Sequence, residues 1–270
     1  MQTKGAVACG HHLTAQAAAH ILSEGGNAFD AVVAAHFAAC VVEPVLASLG
    51  GGGFLLAHPD AGPTILYDFF AHTPREKLPV EDIDFFPIIA DFGETTQEFH
   101  IGMGSIATPG AVKGMFTIYE DLCTLPIAEL VAPAINLAKQ GAVVNEFQAY
   151  ILDIIKPIYQ SNAESLQIYR SQKTQQDTQA LVNSGEILKQ SALAATLEAL
   201  IAEGEDLFYQ GDIAQSVVKS CTENGGFLRR EEYSNYRVIK RKPLQLTYRN
   251  HSIFTNPPPS SGGLLIAFAL

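Results

Sequence analysis

Residues 31–42 read AVVAAHFAACVV, a stretch apolar on every side of a helix, with Asn27 and Asp30 just ahead of it. Asn27 is suited to cap the first turn, and Asp30, three residues on, complements its exposed amides. A helix with no wet face must be buried all round. Its alanines, Ala31, Ala34, Ala35, Ala38 and Ala39, suit close approach to a sheet or a second helix. His36, inside the stretch, is expected as a hydrogen-bonded core histidine rather than a ligand. The 270 residues suffice for one large domain or two small ones with a substantial core.

The neighbours of this helix punctuate clearly. Residues 6–9 read as a short buried strand, and Thr14 is placed to cap a helix that ends at Gly25-Gly26. After the apolar helix, Leu49-Gly50-Gly51-Gly52-Gly53-Phe54 places four glycines before a strand. That much lost backbone entropy suggests close passage past another group or a positive φ, in a tight strand entry or a ligand contact. Pro59-Asp60-Ala61-Gly62-Pro63 is turn chemistry between two strand-like runs, which predicts a hairpin.

Residues 80–104 read as a long surface loop, and residues 106–115 as a turn feeding a helix through Tyr119. Helices are expected over residues 125–140 and 147–160, the second stopped or kinked at Pro157. The polar tract 161–179 reads as a mobile surface excursion. Two amphipathic helices follow at 191–202 and 212–223, then strands at 237–240, 244–248 and 252–255. The C-terminal PPPSSGGLLIAFAL opens an apolar helix, capped by Ser260-Ser261, that stops after two turns. A buried helix seldom ends that way, so a truncated chain is expected.

Charge and motif checks exclude several functions. Seventeen Lys plus Arg against 28 Asp plus Glu give a net charge of −11, a field that repels nucleic acid and anionic membranes. The apolar runs are too short to span a bilayer, and Met1-Gln2-Thr3-Lys4 opens no export leader, so a soluble cytoplasmic chain is expected. Cys9, Cys40, Cys123 and Cys221 form no C-x-x-C pair and read as reduced thiols; the histidines have no metal-ligand spacing. No metal or organic cofactor is expected. Ser48, Ser105 and Ser260 lack the flanking glycines of a hydrolase elbow, Gly102-Met103-Gly104 lacks the next glycine of a dinucleotide fingerprint, and no P-loop occurs.

One block is more specific: GHHLTAQAAAHILSEGGNAFDAVVAAHFAACVVEPVLASLGGGGFLLAH. Its order of helix, G-G-N-A-x-D-A, second helix, V-V-E-P and L-G-G-G-G-F resembles the N-terminal signature of the gamma-glutamyltranspeptidase family. Ala107-Thr108-Pro109-Gly110-Ala111-Val112-Lys113-Gly114-Met115, Leu137-Ala138-Lys139-Gln140-Gly141 and Pro257-Pro258-Pro259-Ser260-Ser261-Gly262-Gly263 continue the likeness over nearly the whole chain.

The resemblance implies an α/β (α+β) fold of the Ntn-hydrolase type, an αββα sandwich. Residues 1–270 would form its large-subunit portion, with a mostly helical lobe over about 125–225. It implies a precursor that cuts itself and exposes an N-terminal threonine on a small subunit, the partner of this chain. The freed α-amine serves as base for its own hydroxyl, and the substrate is a small γ-glutamyl compound of the glutathione type. No residue of this chain is then the nucleophile, and the chain alone is expected to be inactive. Thr95-Thr96-Gln97 resembles a cleavage signature, but Glu98-Phe99-His100-Ile101 does not continue it and the position is too early.

One departure bears on specificity. Where the family carries D-F-R-E-x-x-P, this chain has Asp68-Phe69-Phe70-Ala71-His72-Thr73-Pro74, with Phe70 at the place of the arginine that forks onto the donor α-carboxylate. Arg75 is a substitute cation if the loop bends back, or else a solvated charge beside Glu76; His72 helps when protonated. Phe70, His72 and Arg75 are therefore the substrate-binding candidates, with Gly51 and Gly52 shaping the floor. The alternatives are an amide acylase with an apolar acyl pocket, and a non-catalytic interaction module.

Overall fold

The computed structural model describes residues 5–173 and 177–270. The apolar helix forms as its cap dictates. Asn27 Oδ1 accepts the amides of Phe29 and Asp30, and Asp30 Oδ2 accepts the amide of Asn27 at 2.7 Å. Helix α1 spans His12–Ser23 and this helix, α2, spans Ala28–Val42. Most of α2 is buried, although Val32 remains 38% exposed. The cap of α1 is His11, whose Nδ1 accepts the amide of Leu13; Thr14 instead donates to Glu43. Residues 6–9, expected as a buried strand, are exposed and pair with no strand among the described residues. A short apolar run does not make a strand without a neighbour to complete its ladder.

The glycine run leads into β1 (Gly53–Ala57), which pairs antiparallel with β2 (Ile65–Phe69) as the turn chemistry predicts. Residues 80–104 are not a loop. They hold a hairpin of β3 (Phe86–Asp91) and β4 (Thr96–Ile101), paired over six residues and turned through Gly93 at φ 90°. Thr95 and Thr96 lie at that turn. Helix α3 (Ala111–Leu122) follows and packs on β2, and α4 (Ile127–Gln140) packs on α2. The cap of α2 extends across this joint, because Asp30 Oδ1 also accepts the amides of Thr124 and Leu125.

Beyond α4, β5 (Ala142–Val143) pairs with β6 (Ile187–Leu188). Between them, α5 (Glu146–Ile154) and α6 (Lys156–Gln160) break at Ile155, with Pro157 in the first turn of α6 as expected. The tract 161–179 is partly structured: α7 covers Ala163–Tyr169, and the Ser171 hydroxyl donates to buried Glu186. Residues 174–176 of that tract, and the opening 1–4, lie outside the described residues. Helices α8 (Ser191–Glu203), α9 (Asp206–Tyr209), α10 (Asp212–Glu223) and α11 (Arg230–Asn235) complete the helical part.

The chain then returns to the sheet. Strand β7 (Ile239–Arg241) adds to the free edge of β2, giving an antiparallel β1-β2-β7 sheet in which Leu66 faces Arg241. Strands β8 (Leu244–Tyr248) and β9 (His251–Thr255) form a hairpin of their own. Helix α12 (Ser261–Ala269) closes the chain, and its apolar side chains are exposed, Phe268 by 92%. The main core joins α2, α3, α4 and α8 to β2, with Phe37, Tyr67, Phe69 and Met115 at the helix–sheet interface.

Candidate functional site

The segment after β2 is fixed from several directions. Gly52 lies directly behind it: a Cβ there would sit 2.5 Å from the Ala71 amide nitrogen and 2.8 Å from the Phe69 carbonyl oxygen. Only glycine lets the two backbones approach so closely. The Gly51 carbonyl accepts the amides of Gly110 and Ala111 at 2.8 and 2.9 Å, which ties the glycine run to the start of α3. His72 and Thr108 exchange both backbone hydrogen bonds, at 3.0 and 2.8 Å. On the remaining side the Tyr236 hydroxyl donates to the Phe70 carbonyl at 2.9 Å.

This clamped segment forms one wall of a cleft of about 680 Å³. Phe70 is 55% exposed and stacks on Phe54, with ring centroids 5.5 Å apart and planes 18° from parallel. His72 lies against the Tyr236 ring at 4.8 Å. Arg75 is exposed at the same cleft, where its backbone amide faces Glu232. The three candidates Phe70, His72 and Arg75 thus converge on one cavity. Gly51 and Gly52 do not line it; they stand behind the wall and set its position rather than forming its floor.

The cleft also contains groups that the chain pattern did not reveal. Asp68 is 4% exposed; its Oδ1 accepts the Phe70 amide at 3.1 Å and its Oδ2 accepts Arg241 Nε at 2.7 Å. A carboxylate so buried requires a partner, and Arg241 comes from β7, 173 positions away in sequence. No local spacing rule connects the two. Ser260 and Ser261, at the start of α12, line it as well.

A tyrosine stack supports the site from beneath. Tyr209 lies on Tyr236 at 5.8 Å and donates to the Pro109 carbonyl at 2.9 Å. Burial, and then the charge of Asp68, push the Tyr236 phenol above its usual range, so it remains a neutral donor. His36, expected to be hydrogen-bonded, leaves its buried Nε2 without a partner among the described residues. Its ring meets Phe37 and Phe69 edge-on, and burial lowers its pKa from 6.5 to about 4. It is a neutral packing group behind the sheet.

The chain is similar to known proteins in both sequence and fold. The sequence model of the family described as "Gamma-glutamyltranspeptidase" matches residues 14–270. The "Glutathione hydrolase proenzyme" of Escherichia coli (strain K12) is 32% identical over 97% of this chain and 44% of its own length. The "Acylase ACY 1 proenzyme" of Pseudomonas sp. (strain V22) is 31% identical over 98% of this chain and 47% of its own. The chain therefore spans less than half the length of these curated relatives. The crystal structure of Helicobacter pylori gamma-glutamyltranspeptidase superposes with a TM-score of 0.84 at 29% identity, covering 98% of this chain and 73% of that one.

Proposed function

The chain belongs to the gamma-glutamyltranspeptidase family, and from that membership we propose that it is the donor-binding part of a γ-glutamyl hydrolase or transferase of the Ntn-hydrolase type. The observation that carries this reading is the cleft at residues 68–75, where the family's donor-recognition segment falls and where Phe70, His72 and Arg75 meet. The attacking hydroxyl is supplied by an N-terminal threonine on polypeptide outside these 270 residues, a small subunit from the same precursor. The exposed apolar side chains of α12, beside the cleft, suit such a partner.

The chemistry asks little of this chain beyond positioning. The threonine α-amine takes the hydroxyl proton as the oxygen attacks the γ-amide carbonyl; the C–N bond breaks, and the proton passes to the departing amine. Water hydrolyses the resulting ester, or an acceptor amine takes the γ-glutamyl group. Residues 68–75, clamped by Gly52, Thr108 and Tyr236, orient the acyl group during both halves.

A second reading has its own support. The Phe54–Phe70 pair presents an aromatic face to the cleft, as an acylase for apolar acyl groups would require. The experiment expresses the complete gene product, resolves it on a denaturing gel and assays γ-glutamyl-p-nitroanilide beside an apolar acyl anilide. Two fragments with turnover of the γ-glutamyl donor are expected. Turnover of the apolar anilide alone assigns an acylase, and an uncut chain inert to both assigns an interaction module.

A further inference from the structure

Arg241 occupies an unusual position. Its Nε is committed to Asp68 Oδ2 at 2.7 Å, and the other carboxylate oxygen of Asp68 is held by the Phe70 amide. The carboxylate is tied at both oxygens and buried, so it cannot swing, and the guanidinium plane it anchors is held with it. The side chain of Arg241 is 28% exposed and faces the cleft. Its two Nη groups make no hydrogen bond or ion pair among the described residues.

A guanidinium fixed through Nε still presents its Nη1–Nη2 edge, two parallel N–H donors whose spacing matches the oxygens of a carboxylate. The anchor removes most of the rotamer entropy that binding would otherwise cost. Phe54 and Phe70, stacked in the same cavity, make that side of it apolar, which strengthens a charged hydrogen bond made beside them. Arg75 has no comparable anchor: its side chain is exposed and unpaired among the described residues.

We propose that Arg241 is the specificity-determining residue of this cleft and selects acyl donors that carry a free carboxylate. The proposal rests on the reading of the cleft as the donor pocket. It assigns to a strand residue, 171 positions from Phe70, the recognition that the 68–75 segment lacks.

The test compares two donors that differ by one group in the complete gene product: γ-glutamyl-p-nitroanilide and 4-aminobutanoyl-p-nitroanilide, which lacks the α-carboxylate. The wild-type protein is expected to favour the first in kcat/KM by about tenfold or more. Arg241→Gln is expected to shrink that preference by about tenfold, chiefly through the KM of the carboxylate-bearing donor. Arg241→Lys keeps a cation beside Asp68, so the buried carboxylate stays paired if the glutamine variant does not fold; without the planar fork, it loses part of the preference. An unchanged preference in the folded variants, or an equal loss toward both donors in Arg241→Lys, overturns the assignment. Wild-type protein inert to both donors overturns the donor-pocket reading and this proposal with it. Wild-type turnover with an unaltered preference in the variants removes Arg241 alone.

Discussion

Tyr236 and Phe70 lie 166 positions apart, and the phenol of the first holds the backbone carbonyl of the second at 2.9 Å. The wall of the cleft is therefore fastened to the end of the helical region rather than to its own hairpin alone. Removing that hydroxyl leaves the ring stack in place and frees one partly buried carbonyl. Tyr236→Phe is expected to lower the stability of the complete gene product by about 1 kcal/mol. The urea midpoint measures it, and an unchanged midpoint would show that the bond contributes nothing.

Two glycines of one run are expected to behave oppositely. A Cβ on Gly50 meets nothing nearer than the Ser48 hydroxyl at 3.8 Å, whereas one on Gly52 lies 2.5 Å from the Ala71 amide nitrogen. Gly50→Ala is expected to be tolerated. Gly52→Ala must displace the backbone that carries Phe70 and is expected to cost about 1–3 kcal/mol and to raise KM. Thermal denaturation and donor kinetics on both variants decide this; equal behaviour would mean that the close approach is not structural.

His36 gives the fold a defined acid dependence. Its pKa falls from 6.5 to about 4 through burial. Between those values the unfolded chain binds the proton and the folded chain does not, so stability falls as pH falls through this window and levels off below about 4. His36→Leu removes the coupling. Its loss of stability from neutrality to about pH 4 is expected to be smaller than wild type by roughly 2 kcal/mol or more. Denaturant titrations across that range measure the slope, and parallel slopes would contradict a buried neutral imidazole.

Phe70→Arg restores the residue that the resemblance places at this position. Charged hydrogen bonds contribute about 1.5–3 kcal/mol, so KM for a γ-glutamyl donor is expected to fall by about tenfold. Turnover of any apolar anilide should decline as the aromatic pair with Phe54 is lost. Kinetics on both donors test this, and a KM unaffected by the new cation would put the donor carboxylate out of reach of position 70.

Local chemistry was legible in the sequence wherever a few adjacent residues determine it. The Asn27–Asp30 cap, the β1–β2 turn and the break near Pro157 each follow from such short-range rules. Thr14 does not cap α1 because its hydroxyl goes to Glu43, 29 positions away, and His11 takes the cap instead. The β3–β4 hairpin was masked by charges at Asp91, Glu94 and Glu98, which sit at its turn or on its exposed positions. The cleft was half legible. Phe70, His72 and Arg75 belong to one contiguous segment, while Tyr236 and Arg241 reach it only through the helical excursion and the return of β7.

On the proposed function, this chain binds the donor while a threonine on polypeptide outside it attacks. Peptide mapping of the complete gene product, quenched with acid during turnover of γ-glutamyl-p-nitroanilide, locates the attacking group. A γ-glutamyl ester is expected on the threonine that begins a separate fragment, with no adduct on any residue of this chain. A γ-glutamyl adduct on a side chain within these 270 residues, or an uncut protein carrying none, would contradict it.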